Sequence, residues 1–390
     1  MKINSVFLTL WRKGGMNLHI TVNRHELLKA AMAAERIAPA RSPVTALECA
    51  LLVTEDGMLT IASTNQELAL EQRIQADIRE DGSLLVHAKW LAKLLKGLDS
   101  TEVTLRQAPG EKVAISGGTA EYLIASPDVR EYPRMDIPFP GHTVTVKGIP
   151  NTAKRTVFAV GDVEGRPCMK CVDLVFTKDS LKVFGSDGFR IAVAKGTSKG
   201  AASTSMLLPA ASFQRLAQSL DNKDALQVGT TGKTVVFSKE NFRFSARLMD
   251  GPYLDADQIF RNMTPQFMIL TDAEQLRSAV ASVTVVAGQQ NLFRLSFQGN
   301  TLHIQCESEF GISSMSLPVT ALSGKPDGIF WYHPHTLEEC LKALDGTLRL
   351  EVAQQGVLLL KTEELICMQT AIREPKQIDQ PKKKPKKKAA

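Results

Sequence analysis

No stretch of this chain approaches the ~20 consecutive apolar residues that a membrane-spanning helix needs, and no dense cysteine framework runs through it. The six cysteines (Cys49, Cys168, Cys171, Cys306, Cys340 and Cys367) are scattered, mostly among apolar neighbours. There a free thiol serves as a small core residue, and a reducing cytoplasm suits it best. A P-loop, an H-E-x-x-H pair, a G-x-S-x-G elbow and a dinucleotide fingerprint are all missing, and the chemistry each supports is excluded with it. Carboxylates are many but dispersed, as on solvated faces. Cys168-Met169-Lys170-Cys171 is an isolated C-x-x-C. A zinc site wants a second pair or histidines at ligand spacing, and a redox motif wants a thioredoxin-like helix start. His333-Pro334-His335 reads as the beginning of a helix, since proline suits a first turn. The expectation is a protein without catalysis, metal or cofactor.

Basic charge is also missing from most of the chain. The net charge is +6, yet residues 375–390 alone hold seven lysines (Lys376, Lys382, Lys383, Lys384, Lys386, Lys387 and Lys388) against Asp379. Residues 1–374 therefore sum to zero, and with Lys2, Arg12 and Lys13 set aside the remainder is mildly acidic. Any affinity for a polyanion must come from local arrangement or from the tail. The Pro/Lys tail is low in complexity and is expected to be disordered. At the other end, residues 1–15 carry a short apolar run from Val6 to Trp11 followed by Arg12-Lys13-Gly14-Gly15. That run is at or below the roughly 7–15 residues of a signal peptide's apolar core, so it reads as an extension ahead of the fold.

What is present is repetition. Leu94-Leu95-Lys96-Gly97-Leu98-Asp99 has counterparts in Leu216-Ala217-Gln218-Ser219-Leu220-Asp221 and Cys340-Leu341-Lys342-Ala343-Leu344-Asp345. A second marker, an apolar strand, a polar turn and a strand opening on leucine, recurs at Leu52–Leu59, Val175–Leu181 and Leu295–Leu302. Both keep a period of about 120 residues, which is too long for a solenoid and is the size of a domain. Three copies of one domain follow.

Each copy divides again. Residues 17–22 alternate as a strand, and Asn23 can cap a helix with Leu27, Leu28, Ala31 and Ala34 at helical spacing. Strands are expected at 46–53, 58–64 and 67–74, the first two joined by Asp56-Gly57. The second half starts at Ser83–Val86 and continues in a helix near 88–97 with Leu91, Leu94 and Leu95 on one face. Strands near 101–106, 111–116 and 120–126 follow, with a turn at Pro109-Gly110. The order β-α-β-β-β thus occurs twice per module. The fold class is α+β, and the divisions are an extension (1–15), modules at 16–142, 143–262 and 263–374, and the tail (375–390). The first break falls at Pro138-Phe139-Pro140-Gly141.

Ser186-Asp187-Gly188-Phe189-Arg190-Ile191 is a polar glycine turn from which an arginine enters an apolar strand. By spacing alone it is a β-turn with Arg190 at the surface. Together with the threefold doubled repeat it resembles the Thr-Asp-Gly-His-Arg-Leu turn of the bacterial DNA polymerase III beta subunits, the replicative sliding clamps. Thr45–Leu52, Ser205–Pro209 and Ser245–Gly251 add to the likeness, which spans residues 16–373.

The resemblance implies three tandem DNA-clamp domains with helices lining a ring and sheets outside. It implies a processivity factor, a non-catalytic subunit of a polymerase holoenzyme, in the bacterial cytoplasm and associated with the nucleoid. Two chains would close head to tail as a homodimer around duplex DNA, held without sequence readout. Arg41, Lys89, Lys93, Lys96 and Arg166 would face DNA; a solvated helix face is the plainer reading of the lysines. DNA polymerase and the clamp loader would dock by linear peptide motifs. Their groove would comprise Met169, Ser186, Gly188, Phe189, Arg190, Ile191, Leu254 and Ile259, with Met368, Ala371, Ile372 and Arg373 from the last strand. Methionine and branched aliphatics suit an adaptable pocket, and its arginines would hold a peptide carboxylate or carbonyl.

The chain departs from the family pattern at several of these places. Thr370-Ala371-Ile372-Arg373 replaces a Met-Pro-Met-Arg ending, Leu254 a proline, Phe189 a histidine, and Pro167-Cys168 an aromatic pair. Two other readings stand beside the clamp. One is a clamp-fold scaffold that binds DNA or partners without closing into a ring. The other is an enzyme built on the Cys168/Cys171 or His333/His335 pair.

Overall fold

The computed structural model describes residues 16–374 apart from 134, 136, 138, 139, 201–203 and 290. The expected N-terminal extension, the Lys-rich tail, and Pro138 and Phe139 of the first break lie outside the described residues.

The chain begins with β1 (Met16–Asn23) and α1 (Arg24–Ile37). Asn23 stays extended while its Oδ1 accepts from the backbone N–H groups of His25 and Glu26 at 2.9 and 3.2 Å. Two amides that a helix start leaves unpaired are thereby satisfied. Leu27, Ala31 and Ala34 are buried, as their spacing requires. Next come β2 (Cys49–Glu55), β3 (Met58–Thr64) and β4 (Leu68–Gln75). The strand expected from residue 46 starts later, at Cys49. Thr45–Glu48 instead form a 3₁₀ turn, in which the Glu48 carboxylate accepts from the Ser42 N–H at 2.7 Å. At the β2–β3 turn Asp56 and Gly57 both take positive φ (50° and 74°), which matches the twist of a hairpin.

The second half follows as β5 (Asp77–His87), α2 (Ala88–Gly97), β6 (Glu102–Ala108), β7 (Lys112–Gly117) and β8 (Ala120–Ala125). The same order returns in β9 (Val144–Lys147), α3 (Ile149–Thr156), β10 (Cys171–Phe176), β11 (Ser180–Ser186) and β12 (Arg190–Lys199). It returns again in β13 (Thr204–Pro209), α4 (Ala210–Ala217), β14 (Ala225–Thr231), β15 (Thr234–Lys239) and β16 (Phe242–Arg247). After a short α5 (Ala256–Arg261) come β17 (Pro265–Asp272), α6 (Ala273–Val283), β18 (Asn291–Gln298), β19 (Thr301–Ser308) and β20 (Gly311–Pro318).

The sixth half opens on two short strands, β21 (Thr320–Ser323) and β22 (Asp327–Trp331). It continues with α7 (Pro334–Lys342), β23 (Thr347–Ala353), β24 (Leu358–Lys361) and β25 (Leu365–Gln369). The break is a change of sheet: β21 pairs with β17, whereas β22 pairs with β18. Gly324 makes the crossing at φ +70°, with the Gln266 carbonyl crowding the place where a Cβ would stand. The Leu-Asp markers fall just beyond α2, α4 and α7, which end at Gly97, Ala217 and Lys342. Leu220 and Leu344 each donate a backbone N–H three residues back, to the Ala217 and Leu341 carbonyls at 3.3 Å.

Two compact units emerge. One gathers residues up to 150, 176–181 and 197–249; the other gathers 151–175, 182–196 and 250 onward. In the first, β1 lies between β5 and β6, and β6, β7 and β8 continue as an antiparallel ladder. A second run goes from β5 through β2, β3 and β4 to β16, β15, β14 and β9. Leu27 and Ala31 of α1 and Leu91 and Leu95 of α2 pack on Leu18, Ile20, Leu52, Ile61, Leu105 and Ile115. In the second unit β17, β23, β24, β25 and the first half of β12 form one ladder, and β20, β19, β18 and β22 form a four-stranded sheet. Leu276 and Val280 of α6 and Leu337 and Leu341 of α7 bury Phe267, Phe293, Phe297 and Tyr332.

Candidate functional site

α2 is amphipathic to its ends. Leu91 and Leu95 are fully buried, Leu94 lies half-buried at the margin, and Lys89, Lys93 and Lys96 are exposed. Steps of four and three residues set these lysines along one side of the helix. Among the described residues none of the three pairs with a carboxylate. Between them Trp90 stands 48% exposed, with the Lys93 ammonium 5.3 Å from its ring centroid. Sequence reading passes over this tryptophan; its signal is a large aromatic on the charged side of a helix. Arg41 is exposed in the loop after α1. Arg166 is exposed just ahead of a 3₁₀ turn (Pro167–Lys170).

The residues expected to line a groove divide into groups. Ile191 of β12 and Met368 of β25 are register partners. They join Phe184, Val193 and Leu359 in one apolar face. The segment after β16 packs over that face with Tyr253, Leu254, Ala256, Ile259, Phe260 and Met263. Thus Ile191, Leu254, Ile259 and Met368 do meet. Lys182 of β11 ties the covering segment down through Asp257 at 2.6 Å. Met169 is buried within its own 3₁₀ turn. Ala371 packs against the core around Phe267 and Tyr332, while the Ile372 N–H donates to the Trp331 carbonyl at 2.8 Å beside β22. Arg373 is exposed.

The turn from Ser186 to Arg190 is locked by its own polar groups. The Ser186 hydroxyl donates to the Arg190 carbonyl at 2.7 Å and accepts from the Gly188 N–H. Asp187 Oδ1 accepts from the N–H groups of Phe189 and Arg190, both at 2.9 Å. Gly188 takes φ +89°, a value a side chain strains to reach. Phe189 is pushed outward and is 70% exposed.

Arg190 itself is 7% exposed, so the surface position that spacing alone suggests is not the one it takes. Its Nε bonds Asp187 at 2.8 Å, Nη1 bonds Glu339 of α7 at 2.6 Å, and Nη2 donates to the Phe158 carbonyl at 2.7 Å. The guanidinium also lies over the Phe158 ring. The expected role of holding a peptide carboxylate meets a side chain already committed to two protein carboxylates. Arg190 anchors the turn to α7.

The remaining candidates are structural. Cys168 and Cys171 are buried free thiols, and burial pushes Cys171 up to about 11, away from the thiolate that reactivity needs. His333 occupies the N-cap position of α7, with Pro334 in its first turn. Among the described residues no three His, Cys, Asp or Glu side chains converge as a metal site, and no helix is long and apolar enough to cross a membrane.

Comparison with known proteins adds lineage to this geometry. The family model of the DNA polymerase III beta subunit, N-terminal domain, matches residues 18–136, and that of its central domain matches 143–255; together they cover more than half of the chain. The beta sliding clamp of Streptomyces coelicolor is 25% identical over 339 residues, covering 84% of this chain and 89% of that protein. The Bacillus subtilis counterpart is 23% identical over 345 residues, covering 84% and 91%. Among solved structures, the DNA polymerase III beta subunit of Thermotoga maritima superposes with a TM-score of 0.82 at 20% identity, over 91% of this chain and 99% of that one. A Pseudomonas aeruginosa sliding clamp bound to griselimycin gives 0.80 at 18% identity, over 92% and 100%. The clamp fold therefore extends beyond the two matched domains into the last third of the chain.

Proposed function

We propose that this chain, which belongs to the DNA polymerase III beta-subunit family of bacterial sliding clamps, closes as a head-to-tail dimer around duplex DNA and tethers DNA polymerase to it. The carrying observation is the match of two family domains to consecutive modules of a sixfold β-α-β-β-β repeat. A processivity clamp performs no bond chemistry; it raises the local concentration of its partners on DNA. The boundaries we assign near 142 and 262 lie in the segments ahead of β9 and β17.

Ring closure needs two surfaces that differ and complement each other. Two open strand edges qualify. Among the described residues β8 is bonded to β7 alone, and β20 to β19 alone. Leu123 on β8 is 57% exposed; Phe310, in the turn just ahead of β20, and Ile312, near its start, are 76% and 65% exposed. Unpaired edges carrying apolar side chains are a liability in a monomer and an asset in an assembly.

DNA contact would come from Lys89, Lys93 and Lys96, with Arg41 and Arg166 as further phosphate ligands. Mobile ammonium groups without base readout permit sliding. Partners, clamp loader included, would dock a linear peptide beside the apolar cluster that Ile191, Leu254, Ile259 and Met368 form. The tail at 375–390 would add non-specific attraction to DNA, and its deletion would flatten the salt dependence of binding. The site of action is the cytoplasm, with the nucleoid.

Loading onto nicked circular DNA, followed by linearisation, tests the ring. Retention on the circle and release from cut DNA are the expected results. A monomer, or a protein retained equally on both forms, would favour the scaffold that does not close.

A further inference from the structure

Among the described residues, one oxygen of a carboxylate beside the apolar cluster of Ile191 and Met368 accepts no hydrogen bond. Along β10 the side chains of Val172, Leu174 and Phe176 are buried on one side. The alternate residues Asp173 and Val175 share the other. Val175 packs against the cluster of Phe184, Ile191, Val193 and Met368, so Asp173 belongs to the sheet face that carries the expected groove residues. Its Oδ1 is enclosed and accepts no hydrogen bond. The residue as a whole is only half-buried, which leaves it within reach of a group lying in the groove.

The neighbouring groups are already committed. Tyr253, on the covering segment, donates its hydroxyl to the Cys171 carbonyl at 3.2 Å. Burial keeps that hydroxyl protonated, and the charge of Asp173 adds to the effect. Lys182, on the same side of β11 as Phe184, is paired with Asp257 of α5. Asp187 of the adjoining turn holds Arg190. Cys171, on Asp173's own strand, is a buried thiol held in its protonated form. Burial also raises the Asp173 carboxyl from 3.8 to about 6, so it is largely ionised at neutral pH while lacking a donor. A buried acceptor left in that state costs free energy that a ligand can return by supplying the missing donor.

We propose that Asp173 is a specificity-determining residue of the groove, accepting a hydrogen bond from a basic side chain of the bound peptide. This chain would then favour partners whose linear motif places lysine or arginine beside its apolar anchors. The proposal rests on the groove reading above.

The test is fluorescence anisotropy on the full-length protein. The probes are an amidated hexapeptide of alanine, leucine and phenylalanine and its variants with lysine at each position in turn. At pH 7.5 at least one lysine peptide should bind wild type about tenfold more tightly than the parent, as a charge-assisted hydrogen bond allows. The advantage should shrink by pH 5, where the carboxyl takes up its proton. It should vanish in Asp173→Asn and in Asp173→Leu, with the parent peptide still bound; melting curves establish that both variants are folded. Parent and lysine peptides binding wild type equally, or a preference that survives both substitutions, would overturn the proposal alone. Failure of every peptide to bind wild type would overturn the groove reading and this proposal with it.

Discussion

Arg190 spends three of its donors on two carboxylates and a carbonyl at 2.6–2.8 Å while almost wholly out of water. Removing it would strand Asp187 and Glu339 together. Loss of one partner from a buried ion pair costs far more than the pair is worth against apolar replacements. Arg190→Ala is therefore expected to lower stability by about 3 kcal/mol in urea denaturation. Arg190→Lys should recover only part, because one ammonium cannot span three acceptors. Asp173 works in the opposite direction. Its folded-state pKa of about 6 lies above the ordinary 3.8, so the folded chain holds that proton more tightly than the unfolded one. Stability from this group is present below about pH 4 and is lost as pH rises to about 6. Asp173→Asn should thus raise stability by about 2 kcal/mol at pH 7 and change little at pH 3.5, as thermal melts at the two values would reveal.

Among the elements, α2 has a pattern that decides its fate locally. Leucines at 91 and 95 recur at helical spacing and bury one side, which leaves lysines 89, 93 and 96 no position except the other. Replacing all three by alanine should leave the fold intact and reduce the slope of log K against log salt by about 2.7 for duplex DNA, near 0.9 for each phosphate no longer neutralised. An unchanged slope would place DNA elsewhere. The sixth strand–helix unit is less legible. Its strand divides at Gly324 because β21 and β22 serve different sheets, and nothing in the local residue pattern tells one sheet from another. The 3₁₀ turn at Thr45–Glu48 reads as strand for a similar reason: Ala46 and Leu47 suit a strand, and the turn is held by a hydrogen bond from Ser42 to a side chain six residues on.

For the whole molecule, the open edges of β8 and β20 set the expected assembly. Leu123→Asp would put a charge on one edge without touching a buried side chain. It should leave the melting temperature of the monomer nearly unchanged, shift sedimentation from dimer toward monomer, and abolish retention on circular DNA. A dimer that survives both Leu123→Asp and Ile312→Asp would mean that closure uses another surface.

The threefold period, the doubled β-α-β-β-β order, the capped α1 and the lysine row of α2 are all readable in the chain, because period, cap and helix side depend on residues close in sequence. The turn at Ser186–Arg190 is visible as a motif, but spacing puts its arginine at the surface. Only the fold brings Glu339 and Phe158 to that guanidinium, from 149 and 32 residues away. Asp173 looks like one more scattered carboxylate. Its enclosure comes from a sheet face and a covering segment some eighty residues later, and burial, unlike periodicity, has no local signature.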